Sequence, residues 1–290
     1  MNIQYLTKIV GGQDGAVWGD YLFRFGPDGV CCVYNIEQLS SSASEGKMPE
    51  KFSSFKLEKT EIIKPHSNSV MFGNEYYSSE DEFPLLYTNI YNNHAKEEDP
   101  LKGVCCVYRI QRDGTAFSST LVQIIQIGFV EDECYWSSSK DHGDVRPYGN
   151  FTIDRQAGIY YAFTMRDQCH STRYFSFPLP NLRDGIDDEK FGVKKVTLTV
   201  SDITEYFDCE YHRYIQGACT HNGKIYSLEG FTNDVKNPPA LRVISPENKC
   251  QERYIPFSDF GLTVEPEFID FKDDVCYYAD LSGKLYTIDF

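Results

Sequence analysis

The sequence predicts an all-β fold: a five-bladed β-propeller of four-stranded antiparallel blades, forming one domain over residues 1–290. Three observations carry the prediction. A short hairpin-strand motif recurs along the chain. The segments around its copies divide into comparable groups of four strands. The last group is one strand short, while the N-terminus offers a strand with no group of its own.

The motif is clearest in the octamer GVCCVYNI at Gly29–Ile36, which returns as GVCCVYRI at Gly103–Ile110 with seven of eight positions identical. Looser copies follow as GIYYAF at Gly158, GKIYSLEG at Gly223 and GKLYTIDF at Gly283, with DVCYYAD at Asp274 close by. Each follows a polar turn such as GPDG, RQAG, THNG or DLSG. Turn residues ahead of β-branched and aromatic runs read as hairpin strands.

Taken in order, the first unit holds AVWGD, YLFRF, VCCVYNI and FKLEKTEI. From His66 the second holds SNSVMFG, PLLYTNI, GVCCVYRI and TLVQIIQIGF. The third, from Tyr148, holds GNFTI, GIYYAFTM, RYFSFPL and KKVTLTV. In the fourth come YIQGACTH, KIYSLEG, ALRVISP and ERYIPFS. The fifth has only PEFIDF, VCYYAD and KLYTIDF, and NIQYLTKIV at the N-terminus supplies its missing strand. A radial array must close its ring, and pairing the first strand into the last blade removes the open edges. The average of 58 residues per unit exceeds a WD40 blade of roughly 40–45, and the surplus falls in polar loops such as SSSASEGKMPEK, NNHAKEEDP and SSSKDHGDV. Six blades and a pair of β-sandwiches are the alternatives. No long helix is expected; Glu205–Tyr214 (EYFDCEYHRY) fits a helical turn or two, or a strand edge equally.

Composition narrows the partners. There are 43 acidic residues against 28 Lys and Arg, a formal charge of -15. Nucleic acid is excluded on this reading, because neutralising phosphates needs clustered Lys and Arg. Anionic membrane surfaces are disfavoured for the same reason. No window approaches 18 apolar residues, so no membrane span is expected. Aromatic residues make up 15% of the chain, which is core-forming material.

Ten cysteines include Cys31-Cys32 and Cys105-Cys106, each inside VCCVY. Neighbouring strand residues point to opposite faces, so each pair is read as small buried hydrophobes facing two layers. No CxxC occurs, and Cys209 with His212 or Cys169 with His170 completes no zinc spacing. The free thiols and the lack of a signal-peptide pattern at the N-terminus favour a cytoplasmic protein, although a processed secreted chain would read alike. The nucleotide-binding, metalloprotease, hydrolase-elbow and EF-hand motifs are all missing. Asn150-Phe151-Thr152 is a glycosylation sequon, but it falls in an expected inner strand.

In a propeller the innermost strands line the central channel. The starts of the five expected inner strands carry polar and aromatic groups: Asp14, His66, Asn68, Arg146, Tyr148, Asn150, Gln216, Glu265 and Glu267, with Trp18 nearby. The bland reading is solvated strand ends. The functional one is a ring of amides, carboxylates and aromatics converging on a polar ligand. Amides and carboxylates bond sugar hydroxyls in pairs, and Tyr or Trp faces stack on a pyranose. The same carboxylates and carbonyls also admit a Ca²⁺ ion; no other cofactor is expected.

PHSNSVMFGNEYY and EDEFPLLYTNIY, together Pro65–Tyr91, resemble a segment of uncharacterised bacterial five-bladed propeller proteins. The resemblance implies the fold and draws attention to His66 and Asn68; it implies no activity. Some five-bladed propellers are glycosidases with acidic channel residues, an analogy of fold alone. On that analogy Asp14 is the general base and Glu267 or Glu265 the general acid, with carboxyls about 5–9.5 Å apart. The leading expectation is a non-enzymatic binding or scaffold propeller whose channel mouth recognises a polar small molecule, a carbohydrate in the first instance. A glycoside hydrolase is the second expectation. A protein-interaction platform using acidic loops such as Ser79–Glu82, Glu97–Asp99 and Asp187–Glu189 is the third.

Overall fold

In the computed structural model, residues 1–44, 49–63, 65–90, 104–127, 150–166, 170–211 and 214–290 are described. The N-terminal strand is β1 (Asn2–Lys8). The first blade follows as β2 (Gly15–Trp18), β3 (Tyr21–Phe25), β4 (Val30–Asn35) and β5 (Ser53–Lys56), with helix α1 (Ile36–Ser44) between the last two. The second contains β6 (Val70–Phe72), β7 (Leu86–Asn89), β8 (Val104–Asp113) and β9 (Ala116–Ile127). Blade three is built from β10 (Phe151–Asp154), β11 (Ile159–Arg166), β12 (Ser171–Pro178) and, after β13 (Ile186–Asp188) and β14 (Val193–Leu198), β15 (Glu205–Glu210). The fourth is β16 (Ile215–His221), β17 (Lys224–Glu229), β18 (Ala240–Ser245) and β19 (Cys250–Pro256). The fifth is β20 (Pro266–Lys272), β21 (Val275–Asp280) and β22 (Lys284–Asp289).

Five small sheets, each built on four antiparallel strands, form a five-bladed propeller, and the chain closes its own ring. β1 pairs antiparallel with β22, from Asn2↔Asp289 to Lys8↔Lys284, so the last blade reads β1-β22-β21-β20. The hairpin glycines behave as the motif requires: Gly158 and Gly223 sit at φ 65° and 70°, where a side chain would be unfavourable.

The repeated VCCVY strand shows why its cysteines come in pairs. Cys31 packs with Phe23, Phe55 and Phe72 in the seam between blades one and two. Its neighbour Cys32 points into the opposite seam, with Val17, Tyr34 and Tyr277. Cys105 and Cys106 divide in the same way between two clusters. A blade in a ring is covered on both faces, so its second and third strands are buried along most of their length instead of alternating buried with exposed. Buried aromatic rings fill the seams: Phe23 meets Phe72, Phe83 and Phe117 edge-on at 5.1–5.7 Å. Pairs of this kind add about 0.5–1.5 kcal/mol beyond area burial.

Two local expectations are corrected and one open reading is decided. KKVTLTV, expected as the outer strand of the third blade, is β14 instead, and it pairs parallel with Gln123–Ile127 of β9. The second sheet therefore has six strands in the order β13-β14-β9-β8-β7-β6. The cause is the length of β9, whose 12 residues would leave a bare edge that a second hairpin covers. The outer strand of blade three is the ambiguous EYFDCE, β15. Its Phe207 stacks on Tyr174 at 5.3 Å, and its Asp208 accepts from Arg173 Nε at 2.6 Å and Arg166 Nη1 at 3.1 Å. Asp208 of this strand thus pairs with two buried arginines of the neighbouring hairpin. Helix α1 lies where a polar loop was expected. Asn35 Oδ1 accepts the Gln38 N–H, and Ile36 and Leu39 pack into the first-blade core; one helical turn brings them to the same side.

Strand β22 lies between β1 and β21, so removing residues 284–290 strips partners from both. The truncated chain is expected to lose cooperative thermal unfolding by circular dichroism. A sharp melt at the parent temperature would contradict closure by the N-terminal strand.

Candidate functional site at the channel mouth

The inner strands β2, β6, β10, β16 and β20 surround the axis in that order. Each is an edge strand, so its channel-side backbone groups have no ladder partner and must find one elsewhere. Side chains of neighbouring blades supply partners at three of the five seams, and side-chain pairs bridge the other two. Asp270 Oδ2 accepts the Val17 N–H at 2.7 Å, and Asp14 Oδ2 accepts the Val70 N–H at 2.9 Å. Between blades two and three the Ile153 N–H points at Met71 Sδ. Thr152 Oγ1 and Thr220 Oγ1, 2.8 Å apart, join blades three and four. Gln216 Nε2 donates to Glu265 Oε1 at 2.5 Å between blades four and five. The circuit is complete.

The inner strands run the same way along the axis, so their first residues share one mouth. Two β-bulges shape it. In β16, Ile215 faces Glu229 and Gly217 faces Leu228, leaving Gln216 as the extra residue. In β20, Pro266 faces Asp280 and Phe268 faces Ala279, leaving Glu267 as the extra residue. A bulge frees its side chain from the regular in-out alternation. Gly217 follows the first bulge, and a Cβ there would lie 3.1 Å from Glu267 O and 3.4 Å from Asp14 Oδ1. Strands of blades one, four and five thus meet around one glycine.

Behind the mouth lies a fully buried guanidinium. Arg24 of β3 is opposite Gly15 in the ladder, covers the Phe268 ring at 5.6 Å and donates to the Asp280 carbonyl at 3.3 Å. Its Nε and Nη1 have no partner within the protein. Gln13 Oε1, Asp14 Oδ1, Ser69 Oγ, Asn150 Oδ1 and Glu267 Oε2 are likewise buried without one. Those residues precede or begin the inner strands. Burial pushes the Asp14 and Glu267 carboxyls well up, against the opposing pull of the Arg24 charge on both and of the Val70 N–H on Asp14. Burial lowers Arg24 in turn, opposed first by Glu267 and then Asp14.

The expected residues divide among several places. Asp14, Gln216, Glu265 and Glu267 belong to this cluster. His66 and Asn68 lie in the segment before β6, whose Ser67 carbonyl receives the Asp14 N–H at 3.0 Å. His66 is half-buried, and burial lowers its pKa. Asn68 Oδ1 accepts from Asn89 Nδ2, and Asn89 Oδ1 in turn accepts the Ser69 N–H at 3.1 Å. Truncating Asn68 therefore strands a buried amide, a cost of about 1–3 kcal/mol. Asn150 directly precedes β10. Trp18 ends β2 and so lies at the far end of the channel. There it packs on Phe72 at 5.8 Å beneath the Arg155 guanidinium at 5.4 Å. Tyr148 and Arg146 lie outside the described residues, as do Cys169, His212 and the Glu97–Asp99 loop.

Two arginines were not singled out from sequence. Arg24 sits in the second strand, within the apolar run YLFRF, which does not show what its buried charge lies against. Arg155 follows β10 and reaches Phe72 O at 2.7 Å and Asp270 Oδ2 at 3.3 Å. It ties blade three to blades two and five across the exit. An arginine alone in an apolar strand was the one available signal for Arg24.

Among the described residues no three His, Cys, Asp or Glu side chains converge as a cation's ligands would. No helix there is long and apolar enough to cross a membrane. No protein-family profile matches the sequence, and no curated protein matches it. Solved structures do. The glutaminyl cyclase of Myxococcus xanthus superposes with a TM-score of 0.51 at 9% identity, over 100% of this chain and 94% of that one. A gluconolactonase of Xanthomonas campestris reaches 0.46 at 10% identity, over 98% and 88%. A glucose dehydrogenase reaches 0.47 at 10%, over 100% of both chains. The likeness is one of propeller fold.

An acid whose pKa is higher folded than unfolded binds extra protons in the native state, so it costs stability as pH rises. For Glu267 that cost begins above the unfolded carboxylate range near about 4.3 and grows towards neutrality. Glu267→Gln is expected to melt higher than the parent at pH 7.5, by a gain on the order of 1 kcal/mol. The advantage should shrink to nothing as pH falls to about 4. Parallel melting curves across that range would show that Glu267 is hydrated.

Proposed function

We propose that this propeller is a binding protein whose channel mouth takes a small hydroxyl-rich ligand, a carbohydrate being the class its chemistry suits. The supporting observation is the set of buried polar atoms at the mouth that have no protein partner. Leaving such groups unpaired costs about 1–3 kcal/mol each, so a bound group or water that pairs with them is favoured. The set offers donors in Arg24 and Ser69 and acceptors in Gln13, Asn150 and the acids. A hydroxyl both donates and accepts, and several on one ring answer a surface of mixed polarity better than a simple ion does.

The rival readings draw less support. Hydrolysis would use Asp14 as base, yet one of its oxygens is held by the Val70 N–H and the side chain is fully buried. The acidic loops are partly neutralised from within the chain. Asp81 pairs with Arg109, Glu82 with Arg112, and Asp187 and Asp188 with Lys194 and Lys195. Fewer free carboxylates then remain for a basic partner protein.

The test is a thermal-shift screen against mono- and oligosaccharides, each with Ca²⁺ and with EDTA. A ligand at 100 times its dissociation constant adds about 2.7 kcal/mol. The expected result is a sugar-dependent rise in the parent that disappears in the Gln216→Ala, Glu267→Gln double variant. A flat response across the panel, or an undiminished rise in the variant, overturns the reading. Turnover of an aryl-glycoside that Glu267→Gln abolishes would move the protein to the hydrolases.

A further inference from the structure

We propose that the ligand at the channel mouth is an amino sugar, a hydroxyl-rich ring carrying one ammonium group, and that Asp14 and Glu267 receive the ammonium. The inference rests on the carbohydrate reading above and narrows it to one charge class. It starts from the hydrogen-bonding capacity that the cluster leaves unused. Four of the unpartnered buried atoms are carbonyl or carboxyl oxygens: Gln13 Oε1, Asp14 Oδ1, Asn150 Oδ1 and Glu267 Oε2. The unpartnered donors are Nε and Nη1 of one side chain, Arg24, while Ser69 Oγ serves either way. A hydroxyl brings one hydrogen; an ammonium brings three and no lone pair. Such an excess of acceptors is answered better by hydroxyls with an ammonium than by hydroxyls alone.

Charge points the same way. Arg24 is opposite Gly15 in the ladder, one residue from Asp14. Its charge is opposed in turn by Glu267, Asp14 and Asp280. Glu265, just before β20, acts on Glu267 as a further like charge. The partners of these outer two acids are neutral and cancel nothing: Asp280 Oδ1 accepts from Ser282 Oγ at 2.6 Å and from the Lys284 N–H at 3.1 Å, and Glu265 accepts from Gln216. Further down the channel Asp270 is already paired with Arg155. Burial disfavours the charged forms of both His66, before β6, and Tyr278, on β21. Among the described residues Arg24 is therefore the cation that acts on Asp14 and Glu267, and the carboxyls of the cluster outnumber it.

An ammonium supplies the missing counter-charge. Burial makes both carboxylates costly in the empty protein, and an adjacent cation favours the ionised acid again. A neutral sugar makes no such return. The free N–H groups of Arg24 are left for hydroxyl oxygens of the same ring, whose lone pairs an ammonium lacks.

Isothermal titration calorimetry on the full chain compares glucosamine, galactosamine and mannosamine, each with its parent sugar and its N-acetyl derivative. At about pH 6.5 a sugar amine is charged, since α-amino groups titrate near about 7.7–8.0. Acetylation keeps the ring and removes the charge. At least one amine is expected to bind about tenfold or more tightly than both of its uncharged counterparts. That advantage should vanish above about pH 9, where the amine has lost its proton. In Glu267→Gln the amine should fall to within about twofold of its parent sugar. Equal binding of amines and parent sugars overturns the proposal and leaves the carbohydrate reading standing. So does an advantage that survives either high pH or Glu267→Gln. Failure of every one of these sugars to bind at millimolar concentration also overturns it, and the thermal-shift panel then decides the reading on which it rests.

Discussion

An inner strand of a propeller is an edge strand that cannot be left bare, and here each one is tied to the next round the axis by a side chain that accepts a backbone N–H or by a pair of side chains. Asp14 and Asp270 do this for the neighbouring blades, each accepting a backbone N–H near 2.8 Å from the next strand round the axis. A thioether, a pair of threonines and a glutamine–glutamate bond finish the circuit. These contacts join each blade to the next around the axis. Between the same blades the apolar seams are filled by cysteines and phenylalanines.

The same solution concentrates polar groups where a ligand would enter. Carboxylates recruited to hold the ring together stand in a low-dielectric setting beside a buried guanidinium, and not all of their oxygens find protein partners. The architecture and the candidate site therefore share residues. Asp14 belongs to both, which is why substituting it would confuse binding with folding. Glu267 is the better probe, because it stands on a bulge outside the regular ladder and makes none of the bonds of that circuit.

The channel is also asymmetric. Its mouth is lined by amides and acids, whereas its exit is crossed by Arg155, stacked over Trp18 and bonded to blades two and five. Trp18 and Asp14 are four residues apart in sequence but mark opposite ends. A four-residue strand spans roughly 13 Å, so alignment of strand starts could not reveal which end a nearby aromatic joins.

Sequence alone favoured five blades over six, located the hairpin in each repeat and gave the closure of the last blade by the first strand. Those features follow from local signals: turn residues before apolar runs, the recurring VCCVY strand and a final unit short by one. It also placed Asp14, Gln216, Glu265 and Glu267 at one mouth, because strand starts in a propeller share an end. Only the tertiary structure decided that KKVTLTV would cover β9 and that Asp208 would bring EYFDCE beside two arginines. The same holds for the bulges that release Gln216 and Glu267, and for the placing of Arg24 behind them. Each of these depends on a partner distant in sequence, and a strand's own pattern of residues records which face is buried but not what lies against it.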